Sequence, residues 1–120
     1  MTPKPGRRAP RVRTSLDGSL SARSAHDVRV VDLSSSGCLV ECDTLLDHGA
    51  ILDLRLRLEG DPFAAKVRVT EAYLDGSAKG VSGRYLAGLE FLALPVRAEA
   101  RLLRFLDAER RKRGAHSSAH

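Results

Sequence analysis

The chain has 120 residues, which suits one domain with a single modest core. Its hydrophobic fraction of 42% is ordinary for a globular protein, and with 4% aromatic residues and no tryptophan the core must be mostly aliphatic. No apolar run reaches membrane-spanning length, and none at the N-terminus fits a signal peptide, so we expect a cytoplasmic protein without membrane insertion.

The net charge of +5 is unevenly distributed along the chain. Residues 1–13 carry five basic side chains and no acidic one, and residues 97–113 carry seven basic and three acidic ones. Residues 14–96 carry eight basic and twelve acidic side chains, so the body is mildly acidic between two basic ends. A nucleic-acid binder would spread basic residues over one face of the fold, whereas a concentrated basic arm also suits a compact anion.

The N-terminus contains an arginine-rich arm. Residues 1–6 (MTPKPG) are predicted to be disordered, and residues 7–13 form the arm, in which Pro10 blocks a helix and favours extended geometry. A guanidinium group pairs with phosphate through two donors, reads the O6 and N7 edge of guanine, and stacks on aromatic faces. The alternative is a solubilising arm that binds polyanions without specificity.

Six segments alternate apolar and polar residues, which predicts six strands. They are residues 12–23, 28–33, 37–42, 52–58, 63–70 and 85–91. Gly18 is a possible bulge, residues 59–62 form a tight hairpin connection, and residues 75–83 form a flexible loop. Strands in hairpin-like succession predict an antiparallel barrel or a sandwich.

The chain ends with a predicted helix at residues 96–113, directly after Pro95. Its apolar stripe at helical spacing, which should pack over an opening or edge of the β structure, comprises Ala98, Leu102, Phe105 and Leu106. Residues 114–120 are predicted to be a flexible polar tail.

Residues 30–40 (VVDLSSSGCLV) place a polar turn between two strands. Strict alternation would put Asp32 and Ser34 on the outer face, opposite Val31 and Leu33. Gly37 permits either a positive φ or a close backbone approach. The stretch therefore forms a candidate small-molecule site, and the alternative is a hairpin whose polar residues only cap the turn.

Other chemistries find little support in the sequence. Cys38 and Cys42 share one strand face with Val40, which predicts buried thiols rather than ligands or nucleophiles. The four histidines lack metal-binding spacing with the cysteines, and neither a phosphate-cradling glycine motif nor a hydrolase triad is legible. We therefore expect neither an enzyme nor a cofactor.

Two short motifs in this order resemble the PilZ domain family. Arg7 and Arg11 form RxxxR, and about twenty residues later Asp32, Ser34 and Gly37 form DxSxxG. Each motif is weak alone, but the pair inside a β-rich chain with a terminal helix is fairly specific.

The resemblance covers residues 7–109 and implies a six-stranded antiparallel β-barrel at residues 12–92 followed by the C-terminal helix. It also implies a receptor or adaptor for cyclic di-GMP that changes conformation on binding and signals to an unidentified protein partner. Whether the protein is a monomer or a homodimer stays open. The alternatives are a PilZ-like protein-interaction module that binds no nucleotide and, as a minor option, a nucleic-acid binder.

The implied cyclic di-GMP-binding residues are Arg7, Arg8, Arg11, Asp32, Ser34 and Gly37. The carboxylate of Asp32 would accept hydrogen bonds from guanine, while the motif arginines grip phosphate and guanine. Ser34 is expected near phosphate, and Gly37 is expected to keep the turn open for backbone contact. Arg8 is included because of its position beside the first motif, where it could stack on a base.

Overall fold

The structure, a computed structural model, describes residues 10–74 and 84–118, with side chains up to residue 112. The predicted disordered segment at residues 1–6 and the predicted loop at residues 75–83 lie outside the described residues. The elements are β1 (Val12–Ser21), β2 (Ala25–Leu33), β3 (Gly37–Cys42), β4 (Ile51–Leu58), β5 (Asp61–Leu74), β6 (Tyr85–Leu92) and α1 (Val96–Ser118).

The six strands form a closed antiparallel barrel in the order β1-β2-β3-β6-β5-β4. This confirms the barrel that the family resemblance implies and excludes the sandwich. The barrel closes where residues 18–21 of β1 pair with residues 53–56 of β4. Among the described residues, every strand is paired with a neighbour on both sides over at least part of its length, which reduces the usual hazard of edge-to-edge association.

The interior is aliphatic, as the composition predicts. In β4, Leu54, Leu56 and Leu58 are buried, while the charged residues between them point outward. Val67 and Val69 of β5 are fully buried on the facing side. Because each such side chain contributes roughly 1.5–3 kcal/mol when it leaves water, the alternating strands supply most of the favourable free energy of folding.

The hairpin between β4 and β5 has the predicted tight turn. Leu58 pairs with Asp61, so the loop consists of Glu59 and Gly60. Both have positive φ, at 53° and 87°, which is the geometry that matches the right-handed twist of the flanking strands.

The bulge of β1 lies elsewhere than predicted. The pairing register runs unbroken through Gly18, and the register shift falls between Arg13 and Leu16. There Thr14 donates its hydroxyl proton to the carbonyl oxygen of Val30 at 2.7 Å. Gly18 instead allows β1 and β4 to approach closely where they pair, because a Cβ atom at that position would lie 2.8 Å from the carbonyl oxygen of Arg55.

Helix α1 packs its predicted apolar stripe on the barrel. Leu102 and Leu106 are fully buried and Phe105 nearly so, next to β1, β4 and β5. Arg101 donates from Nη1 to the carbonyl oxygen of Pro62 at 2.7 Å, which ties the helix to the β4–β5 hairpin. The helix extends to Ser118, past the predicted end at residue 113 and into the segment predicted as a tail. In the part of the chain that the structure describes, no helix is long and apolar enough to cross a membrane.

Candidate functional site

The second arginine of RxxxR meets the aspartate of DxSxxG. Residues 12 and 13 at the start of β1 pair with Leu33 and Asp32 at the end of β2, so Arg11 lies next to Asp32. Nη1 of Arg11 is 3.4 Å from Oδ2 of Asp32. The arginine side chain is 51% exposed and the aspartate side chain 23% exposed, so the pair lies at the surface. Two motifs that are distant in sequence are therefore adjacent in the fold.

The other two predicted arginines, Arg7 and Arg8, lie outside the described residues. Their part in the site stays a prediction.

Asp32 has an acceptor that is not used. Its Oδ1 atom is buried and has no hydrogen-bond partner among the described residues. A buried carboxylate oxygen without a donor is costly, because it has lost its water and gained nothing in return. Oδ1 of Asp32 is therefore an unused acceptor, which a donor can reach only where neighbouring groups move aside, because the atom has almost no exposed surface.

The prediction that Asp32 and Ser34 share the outer face is wrong. The pairing of β2 with β3 shifts between Val30 and Asp32, so Val31 is a bulge residue, Asp32 is partly exposed and Leu33 points into the core. Strand β2 ends at Leu33, so the alternation does not continue to Ser34, which is completely buried within the turn.

Ser34 holds the turn together from inside. Its Oγ accepts the backbone N–H groups of Ser36 at 3.2 Å and Gly37 at 3.3 Å, and it is also 3.2 Å from the carbonyl oxygen of Gly37, to which it can donate. The N–H of Ser34 donates to that same carbonyl at 2.9 Å. Ser34 therefore caps the turn, which is the part of the alternative interpretation that the structure shows.

Gly37 is required because the backbones of β3 and β6 lie very close together at this position, and not because the residue has a positive φ. A Cβ atom at this position would overlap the carbonyl oxygen of Leu89 on β6 and lie 3.1 Å from its carbonyl carbon. The same close approach is fixed by the N–H of Phe91, which donates to the carbonyl oxygen of Ser36 at 2.9 Å. The turn is thus anchored to the neighbouring strand.

The two cysteines are buried, as predicted. Burial raises the pKa of Cys38 to about 12, with the nearby negative charge of Asp32 adding to the shift and Arg11 opposing it. Burial likewise raises the pKa of the Cys42 thiol. Since the thiolate is the reactive form, neither side chain is suited to nucleophilic chemistry near neutral pH. No group of three or more potential metal ligands occurs within residues 10–74 and 84–118.

Arg13 lies beside the Arg11–Asp32 pair although it belongs to neither motif. It is exposed, and its Cα is the direct partner of Asp32 across the β1–β2 pair. The sequence contains one indication that Arg13 lies on the same side as Arg11. The two arginines are two residues apart, so in an extended arm they share a face.

The sequence also matches a family model. Residues 5–108 match the PilZ domain model, which is most of the chain. No functionally curated protein matches the chain in sequence.

Solved structures with the same fold are distant in sequence. The PilZ domain of YcgR from Escherichia coli with c-di-GMP is similar with a TM-score of 0.71 and 16% identity, covering 92% of this chain and 96% of that one. The Bacillus subtilis inhibitor of motility (MotI/DgrA) gives 0.74 and 17%, covering 94% and 54%. MrkH of K. pneumonia gives 0.79 and 15%, covering 97% and 53%. The chain therefore spans about half the length of the last two proteins.

Proposed function

Because the chain belongs to the PilZ domain family, we propose that it is a cytoplasmic receptor for cyclic di-GMP. The family commonly binds this ligand, and PilZ domains are typically non-catalytic receptors. Cyclic di-GMP carries two guanines and two phosphates. In this proposal it binds where the start of β1 meets the turn between β2 and β3.

The observation that carries the proposal is the unused oxygen of Asp32. Guanine presents N1–H and N2–H side by side, and a carboxylate accepts both through its two oxygens. Oδ1 of Asp32 has no hydrogen-bond donor among the residues that the structure describes, and Oδ2 forms an ion pair with the exposed Arg11. A guanine docked at Asp32 would satisfy an acceptor that the protein leaves unpaired.

In this proposal Arg11 is a ligand residue as well as the ion-pair partner of Asp32. Its guanidinium is half exposed, and its ion pair with Asp32 at 3.4 Å is longer than a well-formed charged hydrogen bond. Such a surface pair contributes little to stability, so Arg11 can exchange the carboxylate for a phosphate or for the O6 and N7 edge of guanine. Arg7 and Arg8 are proposed to supply further contacts from the arm.

Ser34 and Gly37 support the site by shaping it. Ser34 is buried and bonded within the turn, so in the ligand-free fold its hydroxyl acts on backbone groups. Gly37 lets the turn lie against β6. We propose that they position the turn for backbone contact with the ligand, and that Ser34 reaches a phosphate only if the turn opens.

A receptor must also make its ligand-bound form recognisable to a partner protein. A ligand held by both the arm and the barrel favours the docked arrangement of the arm, because it binds that arrangement more tightly. The docked arm would change the surface that an unidentified protein partner contacts.

The second candidate, a protein-interaction module without a nucleotide, is favoured by one observation. Ser34 and Gly37 have structural tasks that any such barrel would keep after losing its ligand. Arg11 and Asp32 have no comparable task, and they distinguish the two functions.

The test is calorimetric titration of the purified protein with cyclic di-GMP at near-physiological salt, with GTP and cyclic AMP as control ligands. The proposal expects saturable binding of cyclic di-GMP alone. Arg11→Ala should weaken binding at least tenfold, because a hydrogen bond to a charged group contributes about 1.5–3 kcal/mol.

The matched control is Arg104→Ala, which removes one exposed arginine from α1, away from the turn. It should bind like the wild type, and both variants should melt within a few degrees of it. If the wild type gives neither heat nor a ligand-induced shift in melting temperature, the receptor proposal fails and the interaction module remains.

A further inference from the structure

Arg13 has the position of a ligand residue. Directly paired residues of antiparallel strands have Cα atoms about 4.5–5.5 Å apart and side chains on the same side of the sheet. Arg13 is paired in this way with Asp32, and Arg11 reaches Asp32 from the neighbouring outward position. Two arginines thus flank one carboxylate.

The demand for cations at this site exceeds what Arg11 supplies. A cyclic dinucleotide has two phosphates, and the guanine edge that faces a carboxylate leaves O6 and N7 to other donors. Arg11 can serve one of these groups at a time, and Arg7 and Arg8 are proposed to contact others from the arm. A further guanidinium on β1, beside the same carboxylate, fits a phosphate with its planar fork of donors.

We propose that Arg13 is a further ligand arginine, which contacts a phosphate of the cyclic dinucleotide bound at Asp32. This inference rests on the proposed receptor function and adds a ligand-contacting residue that neither motif contains.

The surroundings of Arg13 allow the exchange that this role requires. Arg13 lines an open groove of about 520 Å³ between β1 and α1, together with Phe105, Glu59, Glu109 and Lys112. Arg13 already makes a contact in the ligand-free protein, so the ligand must replace that contact.

Lys112 pairs with both acidic residues of the groove. Lys112 Nζ lies 3.1 Å from Oε2 of Glu109 and 3.7 Å from Oε2 of Glu59. Because Lys112 serves both carboxylates, Arg13 can turn toward a phosphate without leaving either of them without a cation. The same movement changes the charge of the groove next to α1, which gives ligand binding a route to the helix.

The test compares the affinity for cyclic di-GMP of wild type, Arg13→Ala, Arg13→Lys and Arg29→Ala. Arg29 is the matched control because it is an exposed arginine of β2 in the same part of the sheet, paired with Asp17 and Glu41. Its removal changes the net charge equally. We expect Arg13→Ala to weaken binding at least tenfold and Arg29→Ala less than twofold.

Arg13→Lys should fall between wild type and Arg13→Ala, because it keeps the charge and loses the fork. Melting temperatures of all variants separate a binding effect from a folding effect, and Arg13→Lys keeps the test valid if Arg13→Ala is unstable. Wild-type binding with equal affinities for Arg13→Ala and Arg29→Ala would overturn this inference alone. Absence of wild-type binding would overturn it together with the receptor proposal.

Discussion

The three residues of the DxSxxG motif differ in their structural roles, and Asp32 contributes less to the turn than Ser34 and Gly37 do. Ser34 is buried and bonded to the turn, and Gly37 lies against the backbone of β6. Asp32 has one oxygen paired with the exposed Arg11 and the other without a donor in the described chain. Two residues of the motif therefore build the turn, while the third keeps one carboxylate oxygen without a donor among the described residues.

Gly37→Ala should destabilise the protein by roughly 2–4 kcal/mol, because the new methyl group would overlap the carbonyl oxygen of Leu89 and push β3 away from β6. Urea unfolding followed by circular dichroism measures the change. Ser35→Ala is the control, since Ser35 is exposed in the same turn and should stay within about 0.5 kcal/mol of wild type. Equal stability of Gly37→Ala and wild type would contradict the close approach of β3 and β6.

Cys38 should make stability depend on alkaline pH. Its pKa is raised from 9.0 to about 12 in the folded protein, so the folded state holds the thiol proton that the unfolded state releases. Stability from this group is complete below pH 9 and falls between pH 9 and 12, by about 1.4 kcal/mol per pH unit.

The measurement is urea unfolding between pH 7 and 11 for wild type and Cys38→Ala. The variant should be less stable at pH 7, because a buried side chain is shortened, yet lose less stability than wild type above pH 9. Parallel pH profiles would show that Cys38 is not the titrating group.

The strands with alternating apolar and polar residues could be predicted from the sequence, because a closed barrel buries one face of every strand. The bulges could not be placed by strict alternation. The spacing of the buried residues Val28, Val30 and Leu33 contains the signal, since a step of three between core positions marks an extra residue. The pairing of Arg13 with Asp32 depends on such register shifts in β1 and β2, so it required the structure.

Helix α1 offers a matched pair of leucines for testing how it is held. Leu102→Ala should cost about 2–5 kcal/mol, because Leu102 is fully buried against the barrel and its truncation leaves a cavity. Leu103→Ala should cost less than about 1 kcal/mol, because the neighbouring leucine is 46% exposed. Urea midpoints at pH 7 give both values, and equal costs would contradict the packing of α1 on the barrel.

Over the molecule as a whole, basic side chains on the outer face of the barrel pair with acidic ones, whereas arginines are concentrated at the candidate site. Outward ion pairs join Lys66 to Asp53 at 2.9 Å and Arg68 to Glu90 at 3.3 Å. Such exposed pairs contribute little stability, but they neutralise the barrel surface. Arg11 and Arg13 at the start of β1 instead lie next to Asp32, where we propose that an anionic ligand binds.

Binding of cyclic di-GMP beside Asp32 is tested by an NMR titration of the ¹⁵N-labelled protein with this ligand. We expect saturable shifts of the amide signals of residues 11–13 and 32–37, with little change at residues 63–67 of β5. Unchanged spectra at a tenfold ligand excess, or shifts confined to other parts of the barrel, would contradict it.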